Sequence, residues 1–263
     1  MQIIYTLILI AIYSFGGWVL ETTYKSILQK QFVNSGFLVG PICPIYGLGA
    51  LIMIICLGWL KGKPLLLFLV AFVILSIWEY IVGFLLEKIF KTKYWDYSNL
   101  KFNIHGRVCL KNSIYWGILG VIFIQYIHPF VESIVFKIPE NVATITCIII
   151  YILVAIDSII SIVTISKLSD AVNKIDELKE KIKEALEELK FLTANASNKI
   201  KKDNIEKLIH ELSMKEERLR LRMYRKIRRL KLAFPTMKSE GISQFLNQKV
   251  DFETLKKRIK KGN

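Results

Sequence analysis

Apolar residues gather in five runs over the first two thirds of the chain, at residues 3–20, 45–60, 65–86, 113–130 and 142–166. A hydrocarbon core of about 30 Å takes about 20 helical residues to cross, so the runs predict an all-α, polytopic bundle of five transmembrane helices. The second run is the shortest, and Pro41–Pro44 would bring it in as an irregular or tilted segment. The pattern then changes period. From Leu168 the apolar residues fall on a heptad, with Leu168, Ile175, Ile182 and Leu189 at one seam position and Ala171, Leu178, Ala185 and Leu192 at the other.

After a break at Thr193–Asn198, a second helical pattern follows. Ile205, Leu208, Ile209, Leu212, Leu219, Met223, Ile227 and Leu230 form its inward stripe, and Phe234-Pro235 should end it, since proline removes a donor and clashes with the preceding turn. A last short helix is expected over residues 242–260. The tail therefore reads as a helical hairpin or an intermolecular coiled coil. These patterns divide the chain into a transmembrane domain, residues 1–166, and a basic helical tail, residues 167–263.

Two connectors between the apolar runs carry most of the unusual polar chemistry. Residues 31–49, QFVNSGFLVGPICPIYGLG, hold four glycines and two prolines, a poor helix until about Ile45. Non-helical backbone at membrane depth must be buried in protein or face water. Residues 94–110, YWDYSNLKFNIHGRVCL, are too long for an idle connection and too aromatic for disorder. They read as an ordered cap over a site at the membrane surface.

Charge adds orientation. The formal net charge of +15 sits mainly in the tail. Lysines and arginines also favour the connectors on the tail's side, including Lys25, Lys30, Lys88, Lys91, Lys93, Lys101, Arg107 and Lys111. Since cytoplasmic loops retain such residues, the N-terminus is expected outside and the tail in the cytoplasm of a plasma-membrane protein. The first run lacks the basic leader and cleavage site of a removable signal. Cys43, Cys56, Cys109 and Cys147 form no CxxC pair or ligand cluster, so reduced thiols and no metal are expected. The base-rich stretch at residues 218–231 suits an anionic leaflet, or the acidic face of the preceding helix, better than nucleic acid. No nucleotide-binding, dinucleotide or hydrolase motif is present, so no cofactor is expected, and any use of ATP would need a separate ATPase subunit. A homo-oligomer could form through the tail.

Ionisable groups within the apolar runs are costly and mark candidate sites. Glu79, Gly83 and Glu87 share a helix face by their four-residue spacing, as do Ser14, Gly17 and Glu21. A mutually satisfied cluster would pair these carboxylates with Arg107 and with Lys25 or Lys88; simple interhelical ion pairs are the plainer alternative. Arg107 offers a planar fork for an anion. Asp96 could hold a cation or headgroup amine, or cap the Ser98-Asn99 turn. His105 could act in acid/base chemistry or only hydrogen-bond. Asp157 could relay protons or be a hydroxyl-bonded, packed aspartate. Trp18, Trp78, Trp95 and Trp116 read as an interfacial belt.

The string NSGFLVGPICPIYGLGA, then Trp78-Glu79-Tyr80, TKYWDYSN, N-x-x-G-R-V-C-L and the tail piece AFPTMKS resemble the bacterial CmpB-like family, labelled ABC-transporter type IV permease. The resemblance covers about residues 5–165 plus the tail piece. Its marked positions correspond here to Glu21, Gly40, Pro41, Pro44, Tyr46, Gly47, Glu79, Asp96, Asn103, Gly106 and Arg107. It implies a permease that works with a separate nucleotide-binding ATPase. Together these readings give a membrane protein that binds a small or lipid-like substrate at a polar site on the cytoplasmic leaflet. Glu79 and Glu21 would supply charge, Arg107 would hold an anionic group, and Asn103 with Tyr46 would orient it; Asp96 belongs to the same candidate set. A stand-alone membrane enzyme for lipid or isoprenoid substrates and a membrane-anchored scaffold or sensor are the alternatives.

Overall fold

The computed structural model describes residues 3–194 and 199–239. Its elements in chain order are α1 (Ile3–Gln29), α2 (Pro44–Leu57), α3 (Pro64–Phe90), β1 (Thr92–Lys93), β2 (Asn103–Ile104), β3 (Val108–Cys109), α4 (Leu110–Ile122), α5 (His128–Val135), α6 (Glu140–Ala194), α7 (Lys199–Ala233) and β4 (Lys238–Ser239). Among the described residues, four helical stretches are long and apolar enough to cross a membrane: Ile3–Gln29, Pro64–Phe90, Leu110–Val135 and Glu140–Lys167. Pro44–Leu60 is a shorter apolar helix, about 25 Å long at 1.5 Å per residue. This is the run expected to be shortest, and the irregular backbone of residues 31–43 occupies the length a longer α2 would need.

The chain forms two compact units. Among the described residues, one comprises the chain up to Ile162 with Arg229–Lys238, and the other Val163–Arg228 with Ser239. In the first unit Leu9, Leu57, Leu60, Leu67, Ile124 and Val135 are fully buried, and the core joins α1, α2, α3, the α4–α5 stretch and the start of α6. The outer surface is equally apolar: Ile145, Ile148, Ile152, Ile156 and Ile159 of α6 are exposed. An apolar surface this continuous is what lipid solvates and water does not.

Helices of a membrane bundle gain little from apolar burial against one another and rely on small residues for close packing. A Cβ on Gly17 would meet the Tyr46 ring at 2.2 Å, and one on Gly47 would meet Ser14 Oγ at 2.1 Å, so α1 and α2 touch through paired glycines. Gly117 against Phe68 and Gly120 against Ala71 do the same for α4 and α3. Between α4 and α5, Phe123–Ile127 forms a π-helical turn. Pro129 lacks an N–H and its ring would collide with a carbonyl four residues back, and the wider turn accommodates it.

In the second unit, Ala185 and Leu192 of α6 pack with Ile205 of α7, flanked by Leu189 and Ile209. Lys201 pairs with Glu188 at 3.2 Å. These contacts are those of a helical hairpin. Leu208, expected inward, is instead 47% exposed. α7 stops at Ala233, just ahead of Phe234-Pro235. The helix expected over residues 242–260 and most of the break at Thr193–Asn198 lie outside the described residues.

Gly17→Ala should cost about 1–3 kcal/mol by overpacking against Tyr46, visible as a lower unfolding temperature in detergent. Gly16→Ala, whose Cβ would meet nothing within 4 Å, should leave that temperature unchanged or raise it slightly.

Candidate functional site

The acidic face of α3 is divided between two environments. Glu79 is buried at 4% exposure. Its Oε1 accepts the Tyr97 hydroxyl at 3.1 Å and its Oε2 accepts the Trp116 indole N–H at 3.0 Å, with the Asn112 side chain as a third partner. Among the described residues no cation bonds it. Glu87, two turns later, receives Arg107 through Nε at 3.0 Å and Nη2 at 2.8 Å. Arg107 also donates to Tyr80 Oη at 3.2 Å and lies over the Tyr80 and Phe84 rings. On α1, Glu21 pairs with Lys25 at 2.5 Å.

Tyr46 stands between these acids. Its ring lies against Gly17, its centroid is 6.1 Å from that of Trp116, and Glu21 and Glu79 are both near enough to act on it electrostatically. Burial, reinforced by Glu79, pushes the Tyr97 phenol well above its ordinary range, so Tyr97 is a fixed hydrogen-bond donor. The Cys43 thiol lies 3.9 Å from Glu21 Oε2.

The cap over this cluster is held by its own polar groups. Asp96 Oδ1 accepts Ser98 N–H at 3.2 Å, Ser98 Oγ–H at 2.6 Å and Lys93 Nζ at 3.0 Å, while Oδ2 pairs with Lys238. Asn103 donates to the carbonyls of Ser98 and Leu100 and accepts Gly106 N–H at 3.0 Å. Gly106 has φ +68°, and a Cβ there would sit 2.2 Å from Asp96 Oδ1, so both its backbone and its space require glycine. Burial favours a neutral Asp96, but the Lys238, Ser98 and Lys93 bonds outweigh it and hold the carboxyl well below the usual carboxylate range. His105 Nδ1 meets Tyr80 Oη at 3.1 Å, away from Glu79.

The second loop reaches deep. Cys43 N–H donates to Ser14 O at 3.0 Å, fifteen residues before the end of α1, a descent of about 20 Å. Asp157 and Arg229 clamp its middle. Asp157 accepts Val39 N–H at 3.0 Å, Gly40 N–H at 2.8 Å and Ser161 Oγ–H at 3.3 Å. A Cβ on Gly40 would stand 2.9 Å from that carboxylate. Arg229 donates to Leu38 O at 2.6 Å and Phe37 O at 2.9 Å.

Arg229 begins a strap, residues 229–238, that runs over both loops. Lys25 and Gln29 cap the carbonyls of Ala233 and Leu232. Phe234 packs edge-on against Tyr94 at 5.0 Å, Asp96 N–H donates to Thr236 Oγ1 at 3.1 Å, and Lys238 reaches Asp96.

Of the six residues nominated from sequence, Glu79 is buried and Glu21 and Tyr46 are half-buried near it, while Asp96, Asn103 and Arg107 are engaged in fixing the cap. Arg107 and Lys25 each pair a carboxylate, Glu87 and Glu21, whereas among the described residues Glu79 is bonded by neutral donors alone. The tryptophans are more than a belt. Trp18, Trp78, Trp95 and Trp116 donate their indole N–H to Asn34, Ile45 O, Arg107 O and Glu79. Sequence reasoning missed Tyr97, Asn112 and Trp116 as partners of Glu79. It also missed the clamp, whose only signal was one aspartate in an apolar run.

The family described as "Putative ABC-transporter type IV" matches the chain over residues 8–162. No curated protein and no solved structure matches it.

Asp157→Ala should free the Val39 and Gly40 amides, each bond to a charged group being worth about 1.5–3 kcal/mol. Hydrogen exchange in residues 37–43 should rise, and Arg229→Lys, unable to bridge two carbonyls, should raise it as well. Seating of the strap should also depend on acid. A depressed Asp96 contributes stability that is fully present above the unfolded value of about 3.9 and is lost as pH falls through the lower folded value. Protection factors in residues 233–238, with the intrinsic pH dependence of exchange divided out, should thus stay level from neutral pH to about 4 and fall below it, and Asp96→Asn should lower them at neutral pH.

Proposed function

The chain belongs to this family of ABC-transporter type IV description, and from that premise we propose that it is a permease-like, multi-pass membrane protein. In this reading it binds a small or lipid-like substrate at the Glu79 cluster, beneath the two loops, and a separate nucleotide-binding ATPase supplies the energy. α2 makes a fifth, short crossing, the N-terminus lies outside, and the loops and tail face the cytoplasm. The lysines of the connectors on the tail's side support that orientation.

The observation that carries the site is the buried Glu79 carboxylate with neutral donors only. A buried charge is costly until a counter-charge reaches it. Glu21, Glu87 and Asp96 each have a lysine or arginine, and Asp157 has the Val39 and Gly40 amides near Arg229. Glu79 therefore favours a substrate with a cationic group, such as an ammonium, which the Tyr46, Tyr97 and Trp116 rings would also accommodate. Arg107 would take an anionic group only by leaving Glu87; its present role is to position the cap, as is that of Asp96 and Asn103. A lipid-directed enzyme is the second reading, and the Glu79–Tyr97 hydrogen bond, a proton donor on a carboxylate, is the observation in its favour.

Glu79→Gln should weaken binding of a cationic substrate about 10- to 100-fold, or about 1.4–2.8 kcal/mol, at unchanged protein levels; Glu87→Gln should cost far less. Purification from native membranes in mild detergent, with mass spectrometry of proteins and lipids, should recover a stoichiometric ATPase. Turnover of a lipid by the isolated protein would overturn the permease reading in favour of the enzyme.

A further inference from the structure

We propose that the tip of the cap, residues 99–105, is a wedge that inserts into the adjoining lipid leaflet, its apolar side chains among acyl chains and its lysines at anionic headgroups. Leu100, Phe102 and Ile104 are 40%, 77% and 58% exposed. Their backbone helps to hold the cap, but none of their side chains hydrogen-bonds Glu79 or the groups that fasten the cap. Three such side chains within five residues of a polar loop need a non-aqueous neighbour.

The tip is built to hold them out. Phe102 and His105 have φ of +53° and +52°, a region that bulky residues enter only when their surroundings fix it. Asn103 ties the tip to Ser98 and Leu100, and β2 pairs antiparallel with β3. Phe102 O accepts Leu110 N–H at 3.2 Å.

Position identifies the occupant. Leu110 opens the membrane-length stretch Leu110–Val135, so Phe102 stands at the level where that stretch enters the bilayer. His105 is bonded to Tyr80, ten residues before α3 ends, so the tip folds back along α3 rather than away from it. Ile81 and Ile114 are exposed on the neighbouring helices, so the apolar side chains of the tip are not alone at this level of the bundle. Lys101 and Lys111 are exposed beside it, placed for anionic headgroups. Amphipathic segments with this division seat about 5–10 Å into the headgroup and acyl boundary.

The test places an environment-sensitive NBD label on Phe102→Cys, and separately on Ile104→Cys, in the full chain carrying Cys56→Ser; the other three cysteines are buried. The protein is reconstituted in phosphatidylcholine bilayers with and without phosphatidylglycerol. Blue-shifted emission, quenched by lipid-borne nitroxides near the headgroup and protected from aqueous iodide, is the expected result at both positions. Lys101→Glu with Lys111→Glu should abolish any further shift caused by phosphatidylglycerol. Water-like emission quenched by iodide at both positions overturns the proposal. So does shielding from both quenchers that appears in native membranes and is absent in pure lipid, which would assign the tip to a protein partner.

Discussion

A stretch of backbone without helix or strand, carried about 20 Å down the side of α1, is the constraint on which the rest of this membrane unit depends. Its N–H and C=O groups have no ladder of their own, and hydrocarbon offers them nothing. The clamp answers this with opposite charges: the Asp157 carboxylate takes two amides and the Arg229 guanidinium takes the two carbonyls before them. The donor and acceptor of one short peptide are thereby satisfied from two helices far apart in sequence. Only when that loop is held does Cys43 dock on Ser14 and α2 start at the level where Tyr46 meets Gly17.

Charge distribution around the site follows the same economy. Where a carboxylate serves to fasten a loop or strap, it is matched: Glu87 to Arg107, Asp96 to two lysines, Asp157 to amides. Glu79 is matched by hydroxyl, indole and amide donors. Such donors solvate the carboxyl group through dipoles, and among the described residues no lysine or arginine bonds it.

Much of this was legible in the sequence because membrane solvent imposes strong periodic signals. The long apolar runs, the helix stop at Phe234-Pro235 and the glycine-rich loop all follow from local chemistry. Glu79 and Tyr46 stood out for their residue type and, through the family resemblance, for their place in the motif. What could not be read was partnership across the chain. Arg229 looked like one base among eight in a run, and nothing local separates the arginine that grips two carbonyls from those that face solvent. Asp157 was visible as an oddity, yet its partners are backbone amides, which carry no residue-type signal. The tryptophans were assigned to the interface by composition, whereas their indole N–H groups go to protein acceptors that only the packing reveals. The extra length of α1 and α3 was hidden too, because Glu21 and Glu87 close the apolar runs while the helices continue past them.

The separation in sequence between the two sides of the clamp has a consequence for biogenesis. Leu38 and Arg229 are 191 residues apart, and a ribosome adding about 5–20 residues per second takes roughly 10–40 s to cover that distance. Throughout that interval the loop of residues 31–43 lacks the arginine that takes its Phe37 and Leu38 carbonyls. The bundle must therefore be guarded during insertion, by water, by the translocation machinery or by a looser placement of α2, and it reaches its final form only after the strap has been synthesised.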